Sequence, residues 1–155
     1  MRVGAMMVRI SRRLNFIKVS DEQLRIMAAC MEGQCDILAF YLFGSYGTKQ
    51  QTLLSDIDFA VLPMPGETLD VWRELDLLGE LQQISEEDDT NLVNLSRAPV
   101  TLQMKVLAGG RLLYCRDPVL LADFKEHVIR RYCDFAPHLQ EFYRDYDAGL
   151  KEELL

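Results

Sequence analysis

The residues best suited to chemistry lie in one stretch, Gly44-Ser45 followed ten residues later by Asp56-Ile57-Asp58. On a β-strand, positions i and i+2 face the same side, so Asp56 and Asp58 present two carboxylates roughly 6–7 Å apart along the chain. Hard oxygen donors in that arrangement suit Mg2+. A glycine where a strand ends lets the backbone come close to a bound group, and neighbouring amides with the Ser45 hydroxyl can hold phosphate oxygens. Together these parts describe a metal-dependent phosphoryl or nucleotidyl transfer site. The plainer reading is a turn and a solvated strand face. It is disfavoured because apolar runs adjoin both acids, which places them beside a core unless a cation neutralises them.

The flanking sequence supplies elements to hold this stretch. Ile37 to Phe43 is a continuous apolar run of seven residues, the pattern of a strand buried on both faces. A second strand is expected from Asp56 to Leu62, closed by Pro63 and Pro65. Ser20 with Gln23 forms a capping box that opens a helix from about Asp21 to Gln34. Between Leu69 and Ile84, Val71, Leu75, Leu78 and Leu81 recur at helical spacing and predict an amphipathic helix lying on the sheet. Asn91 to Leu95 reads as a third strand. Pro99 suits the first turn of a helix reaching about Leu107, stopped by Gly109-Gly110 before a strand from Arg111 to Cys115. Asp117-Pro118 opens a long helical region carrying Leu120, Phe124, Val128, Tyr132 and Phe135, which Pro137 should kink or divide. The alternation predicts one α/β (α+β) domain with a small mixed sheet flanked by helices, over residues 20–155, preceded by an extension over 1–19.

Charge and length exclude several functions. Seventeen Lys and Arg against 24 Asp and Glu leave a net charge of -7, which disfavours direct nucleic-acid binding. No apolar run approaches the ~20 residues of a membrane span. The first twenty residues hold five basic side chains and no acid, yet lack the apolar core and cleavage site of a signal peptide. Met6 or Met7 could equally be the start, and a cytoplasmic location is expected. Cys30, Cys35, Cys115 and Cys133 form no CxxC pair, and His127 and His138 are the only histidines, so zinc-ligand spacing is absent. Buried reduced thiols are expected.

With these residues in view, the chain resembles the minimal nucleotidyltransferases (MNT) of the DNA polymerase β superfamily, small proteins usually encoded beside a HEPN-domain partner. The resemblance runs from about residue 20 through the Gly44-Ser45 strand, the acidic pair, the segment "TNLVNLSRAP", the "GRLLY" segment and the C-terminal helices. It implies a mixed sheet flanked by helices, two Mg2+ ions and an NTP held against the carboxylates. Family antitoxins attach AMP from ATP to a tyrosine of the HEPN ribonuclease toxin, and the resemblance implies that role here. Carried over, Gly44 and Ser45 contact the triphosphate, and Asp56 and Asp58 hold the metals. The family's third carboxylate lies in a segment like D-L-V-D-L, where this chain has Asn91-Leu92-Val93-Asn94-Leu95. An asparagine at 91 offers a carbonyl but no charge, and it cannot accept the proton of an attacking hydroxyl. Asp89 could substitute through a shift of register. Two functions follow from the resemblance: an Mg2+-dependent protein adenylyltransferase acting as antitoxin, or a weakened relative that neutralises its HEPN partner by binding alone. Transfer to a small molecule such as an aminoglycoside is less favoured, because no substrate domain follows the core.

Other features have plain readings. Arg131 and His138 match the R-x6-H spacing of the HEPN ribonuclease motif by coincidence, since Pro137 precedes the histidine and the chain is not an all-helical bundle. Lys49, Arg97, Lys105 and Arg111 read as surface cations. Phe135, Leu139, Phe142 and Tyr146 step by four, three and four, a stripe that docks a partner helix or packs on this protein's own sheet. Glu67 to Asp89 carries nine acids against Arg73 alone, a solvated face or an electrostatic guide for a basic partner.

Overall fold

Two central apolar runs form the paired middle strands of the sheet. β1 (Ile37–Phe43) and β2 (Ile57–Pro63) are antiparallel, with Phe40 opposite Val61 and Phe43 opposite Asp58. The computed structural model describes residues 19–44 and 56–154. β3 (Thr90–Asn94) adds parallel to β2, and β4 (Arg111–Cys115) adds antiparallel to β1. The four-stranded order is β3-β2-β1-β4. A parallel neighbour needs a crossover, which α2 (Val71–Ser85) supplies between β2 and β3. The other helices are α1 (Asp21–Glu32), α3 (Val100–Gly109) and α4 (Pro118–Leu154).

Both faces of β1 and β2 are buried, as their unbroken apolar composition requires. On one face Phe40 stacks on Phe59, with ring centroids 5.1 Å apart, among Met27 and Met31 of α1 and Leu77 and Leu81 of α2. On the other, Tyr41, Ala60 and Leu62 meet Val106 of α3 and Leu121 of α4. A bulge between Ile37 and Ala39 adjusts the alternation at the start of β1.

The capping box at Ser20 and Gln23 is formed as expected, with Gln23 N–H donating to Ser20 Oγ at 3.1 Å and Ser20 N–H to Gln23 Oε1 at 2.9 Å. At the other end of α1, which has no basic residue in its last turn, Arg116 supplies donors from far along the chain. Its guanidinium donates to the carbonyls of Glu32, Gln34 and Ile37 at 2.8, 3.0 and 3.1 Å.

Several sequence expectations need correction. Of the expected inner row of α2, Leu81 is buried and Leu78 partly so, but Val71 and Leu75 are 62% and 51% exposed, and Leu77 and Ser85 complete the inner face. Polar anchors rotate the helix. Arg73 makes a bidentate bond to Asp36, two contacts of 2.9 Å, and Glu74 accepts from Asn94 at 3.0 Å. Pro137 does not divide α4, which runs unbroken to Leu154. Pro137 is exposed there, so the carbonyl contact it removes is lost at the surface rather than in the core. The thiols are not buried: all four are free, Cys35 and Cys133 exposed, Cys30 and Cys115 partly so. Nor does the stripe at Phe135 and Phe142 pack on the sheet, these rings being 39% and 63% exposed.

Candidate functional site

The acidic pair stands where β2 begins. Ile57 N–H donates to the Asp89 carbonyl at 2.9 Å, which fixes the start of the β2–β3 ladder and pairs Asp58 with Asn91. Asn91 lies opposite Asp58, while Asp89 precedes β3 and gives its carbonyl to the ladder. Strand alternation places Asp56 and Asp58 on the same face as Ala60. Asp58 is half-buried, and Asp56 and Asn91 are exposed.

Three side chains converge. Asn91 Nδ2 donates to Asp58 Oδ1 at 3.1 Å and approaches Asp56 Oδ2 at 3.4 Å. Both carboxylates therefore turn an oxygen toward one point, now taken by an amide hydrogen-bond donor. Two like charges that close need a positive group between them, and the amide supplies only a partial one.

Gly44 ends β1 immediately after Phe43, the residue paired with Asp58. Its φ is +85°, and a Cβ on it would lie 2.5 Å from Asp58 Oδ2. Both facts demand glycine: the backbone enters a conformation L side chains rarely adopt, and the Asp58 carboxylate occupies the space a methyl would fill. Ser45, the other expected phosphate contact, lies outside the described residues, as do Lys49 and the rest of 45–55.

Among the described residues no cluster of three His, Cys, Asp or Glu side chains is arranged to hold a metal ion. The donor set at the site is two carboxylates and one amide, all capable of offering hard oxygen. It fits Mg2+ with one fewer charge than three carboxylates would provide. The Asn91 amide can present either its nitrogen or its oxygen. Facing bare carboxylates it donates; facing a cation the opposite orientation is favoured.

Two cations expected at the surface lie there, each beside a carboxylate. Arg97 pairs with Glu74, and Arg111 Nη1 lies 3.7 Å from Asp21. Sequence reasoning passed over Asn94, the second asparagine of β3. It is 8% exposed, bonds Glu74 on α2, and its Oδ1 accepts from Ser96 N–H at 3.1 Å and Ser96 Oγ–H at 2.6 Å. Its role is to bind β3 to the crossover helix. The signal was there in a polar residue interrupting an apolar strand, but only packing shows its partner.

Residues 26–119, which include both central strands, the acidic pair and Asn91, match the family Polymerase beta, Nucleotidyltransferase. The chain belongs to that nucleotidyltransferase family. No curated protein matches it. Among solved structures, it is similar to a toxin–antitoxin with AMP-PNP at 27% identity and a TM-score of 0.65, over 80% of this chain and 97% of that one. It is similar at 26% identity, with a TM-score of 0.65 over 83% of this chain and 98% of the other, to a variant of the toxin–antitoxin MntA-HpeT. A tri-AMPylated Shewanella oneidensis HEPN toxin in complex with its MNT antitoxin shares the fold at 23% identity and a TM-score of 0.53, over 85% of this chain and 99% of that one. The resemblance to MNT proteins expected from the residues therefore holds, as does the mixed α/β fold of this nucleotidyltransferase family. No helix among the described residues is long and apolar enough to cross a membrane.

Proposed function

We propose that this nucleotidyltransferase-family chain is an Mg2+-dependent antitoxin that transfers AMP from ATP to a tyrosine hydroxyl of a HEPN-domain toxin, in the cytoplasm. One observation carries the reading: Asp56 and Asp58 turn oxygens toward a single point directly beside a glycine whose Cβ position is filled by the Asp58 carboxylate. The toxin–antitoxin structures it resembles, one with AMP-PNP, support the partner and the nucleotide.

Bound Mg2+ would be held by Asp56 and Asp58, with the Asn91 carbonyl as a neutral third donor, and would screen charge on the attacking and leaving oxygens. Phosphate oxygens would be held by the Gly44 backbone amide and the Ser45 hydroxyl. The tyrosine oxygen forms a bond to the α-phosphorus while the bond to the β-phosphate oxygen breaks, releasing pyrophosphate. The hydroxyl proton leaves to Asp56, Asp58 or water, because an amide at position 91 is no base.

The rival reading is neutralisation by binding alone. The Asn91 amide favours it, since it already bridges both carboxylates where a cation would sit. Intact-mass spectrometry of a HEPN-domain toxin, incubated with this chain, ATP and Mg2+, separates the two. Mass gains of whole AMP units, lost in the Asp56→Asn/Asp58→Asn double variant, establish transfer. A stable complex with no gain establishes occlusion instead.

A further inference from the structure

The long C-terminal helix outruns the body it packs on. Its buried contacts are Leu121 and Val128, and no described residue after Val128 is buried. Yet α4 continues to Leu154 through a proline. A helical stretch with no fully buried side chain among the described residues draws little stability from its own domain, and an internal proline weakens it further.

The sequence of this stretch carries a seam. Val128, Tyr132, Phe135, Leu139, Phe142 and Tyr146 follow at steps of four, three, four, three and four. A strict alternation of four and three is the 3.5-residue repeat of helices that pack along each other, not the 3.6 repeat of a helix lying on a sheet. Ile129, Ala136 and Tyr143 flank the seam on one side at seven-residue spacing. Arg131, His138 and Asp145 flank it on the other. Phe135 and Phe142 are 39% and 63% exposed, and Ile129 and Tyr143 are 46% and 57% exposed. The seam spans about 27 Å at the helical rise.

The flanking charges choose the occupant. The row of residues flanking the seam runs from Arg131 at one end to Asp145 at the other. Turned end for end, it complements itself. Centred on Pro137, an antiparallel pair sets Tyr132 against Phe142 and Phe135 against Leu139, each twice by symmetry. The same register sets Arg131 of each helix beside Asp145 of the other, and Ile129 beside Tyr143. Sliding by one heptad in either direction brings Gly149 or Lys125 inward to the seam, so the apolar layers and the ion pairs select the same register. Pro137 falls on the side away from the seam, where its missing N–H does not interrupt the contact.

We propose that α4 pairs with α4 of a second copy of this chain, antiparallel and two-fold symmetric, through the seam from Tyr132 to Phe142. The contact is isologous and closed, so it makes a dimer and not a filament. It does not depend on whether the chain transfers AMP.

The test is the mass in solution of the full-length chain by light scattering and sedimentation at micromolar concentrations, with circular dichroism to check the fold. The wild type runs as two chains. Arg131→Asp alone, which faces Asp145 with a like charge, and Asp145→Arg alone each shift the mass toward one chain. The double exchange restores the dimer. A monomeric wild type overturns the proposal, as does a dimer indifferent to either single exchange, or single variants that dissociate without rescue by the double. If the wild type is monomeric and Phe142→Asp abolishes co-elution with a HEPN toxin, the seam belongs to that partner and self-pairing is refuted.

Discussion

At the active end of β1, the geometry of a few atoms sets what each substitution does. Gly44 has φ +85° and an Asp58 oxygen where a Cβ would go. Gly44→Ala must displace either the backbone or that carboxylate, and a destabilisation of about 2 kcal/mol is expected. Urea unfolding measures it, and a variant as stable as wild type would show that the close approach relaxes freely. Asn91 sets the charge of the site. Asn91→Asp exchanges the bridging donor for a third carboxylate, so Mg2+ binding is expected to tighten and AMP transfer to quicken by about a hundredfold or more, the scale of a catalytic base restored. Titrating AMP formation on the partner against Mg2+ reads both effects. An unchanged Mg2+ dependence would mean that position 91 lies outside the metal's reach.

The elements are held in place by polar contacts as much as by the apolar layers. Arg73 on α2 grips Asp36, just before β1, and Arg116 at the end of β4 gathers the last carbonyls of α1. The hydrogen bonds from Arg73 hold the Asp36 carboxyl below its ordinary value of 3.8. A carboxylate with a depressed pKa in the folded state adds stability that is complete above the unfolded value and disappears as pH falls through the folded one. Thermal melts of wild type and Asp36→Asn should therefore differ near neutral pH, with wild type the more stable. The difference should shrink below about pH 3.8 as the wild-type carboxyl protonates. A gap that stays constant into strong acid would assign the effect to something other than this ion pair.

For the molecule as a whole, the candidate site depends on bringing the end of β1 and the starts of β2 and β3 together. Nucleotide and metal that bind only the folded chain raise its melting temperature. At about a hundred times the dissociation constant the gain is ~2.7 kcal/mol, or roughly 5–10 °C for a domain of this size. Thermal unfolding with AMP-PNP and Mg2+ should show such a shift in wild type and none in the Asp56→Asn/Asp58→Asn variant. A shift retained in that variant would place the nucleotide elsewhere.

Much of this protein was legible in its residues because the signals were local. Ser20 with Gln23 marks a helix start by a bond three residues long, and the apolar run from Ile37 to Phe43 can only be a strand covered on both sides. The fold class followed from their alternation, and the acid pair from strand period. What needed the tertiary structure were the relations between segments distant in the chain. The inner face of α2 was legible only in part: Leu81 is buried as expected, but Val71 and Leu75 are exposed, while Arg73 and Glu74 bond Asp36 and Asn94. Pro137 was expected to kink or divide the C-terminal helix, and it does not divide it. Asn91 stands opposite Asp58 because the Ile57–Asp89 backbone bond sets the register of parallel strands. Residue type and period are written in neighbours along the chain, whereas rotation and register are decided by contacts that exist only once the chain has folded.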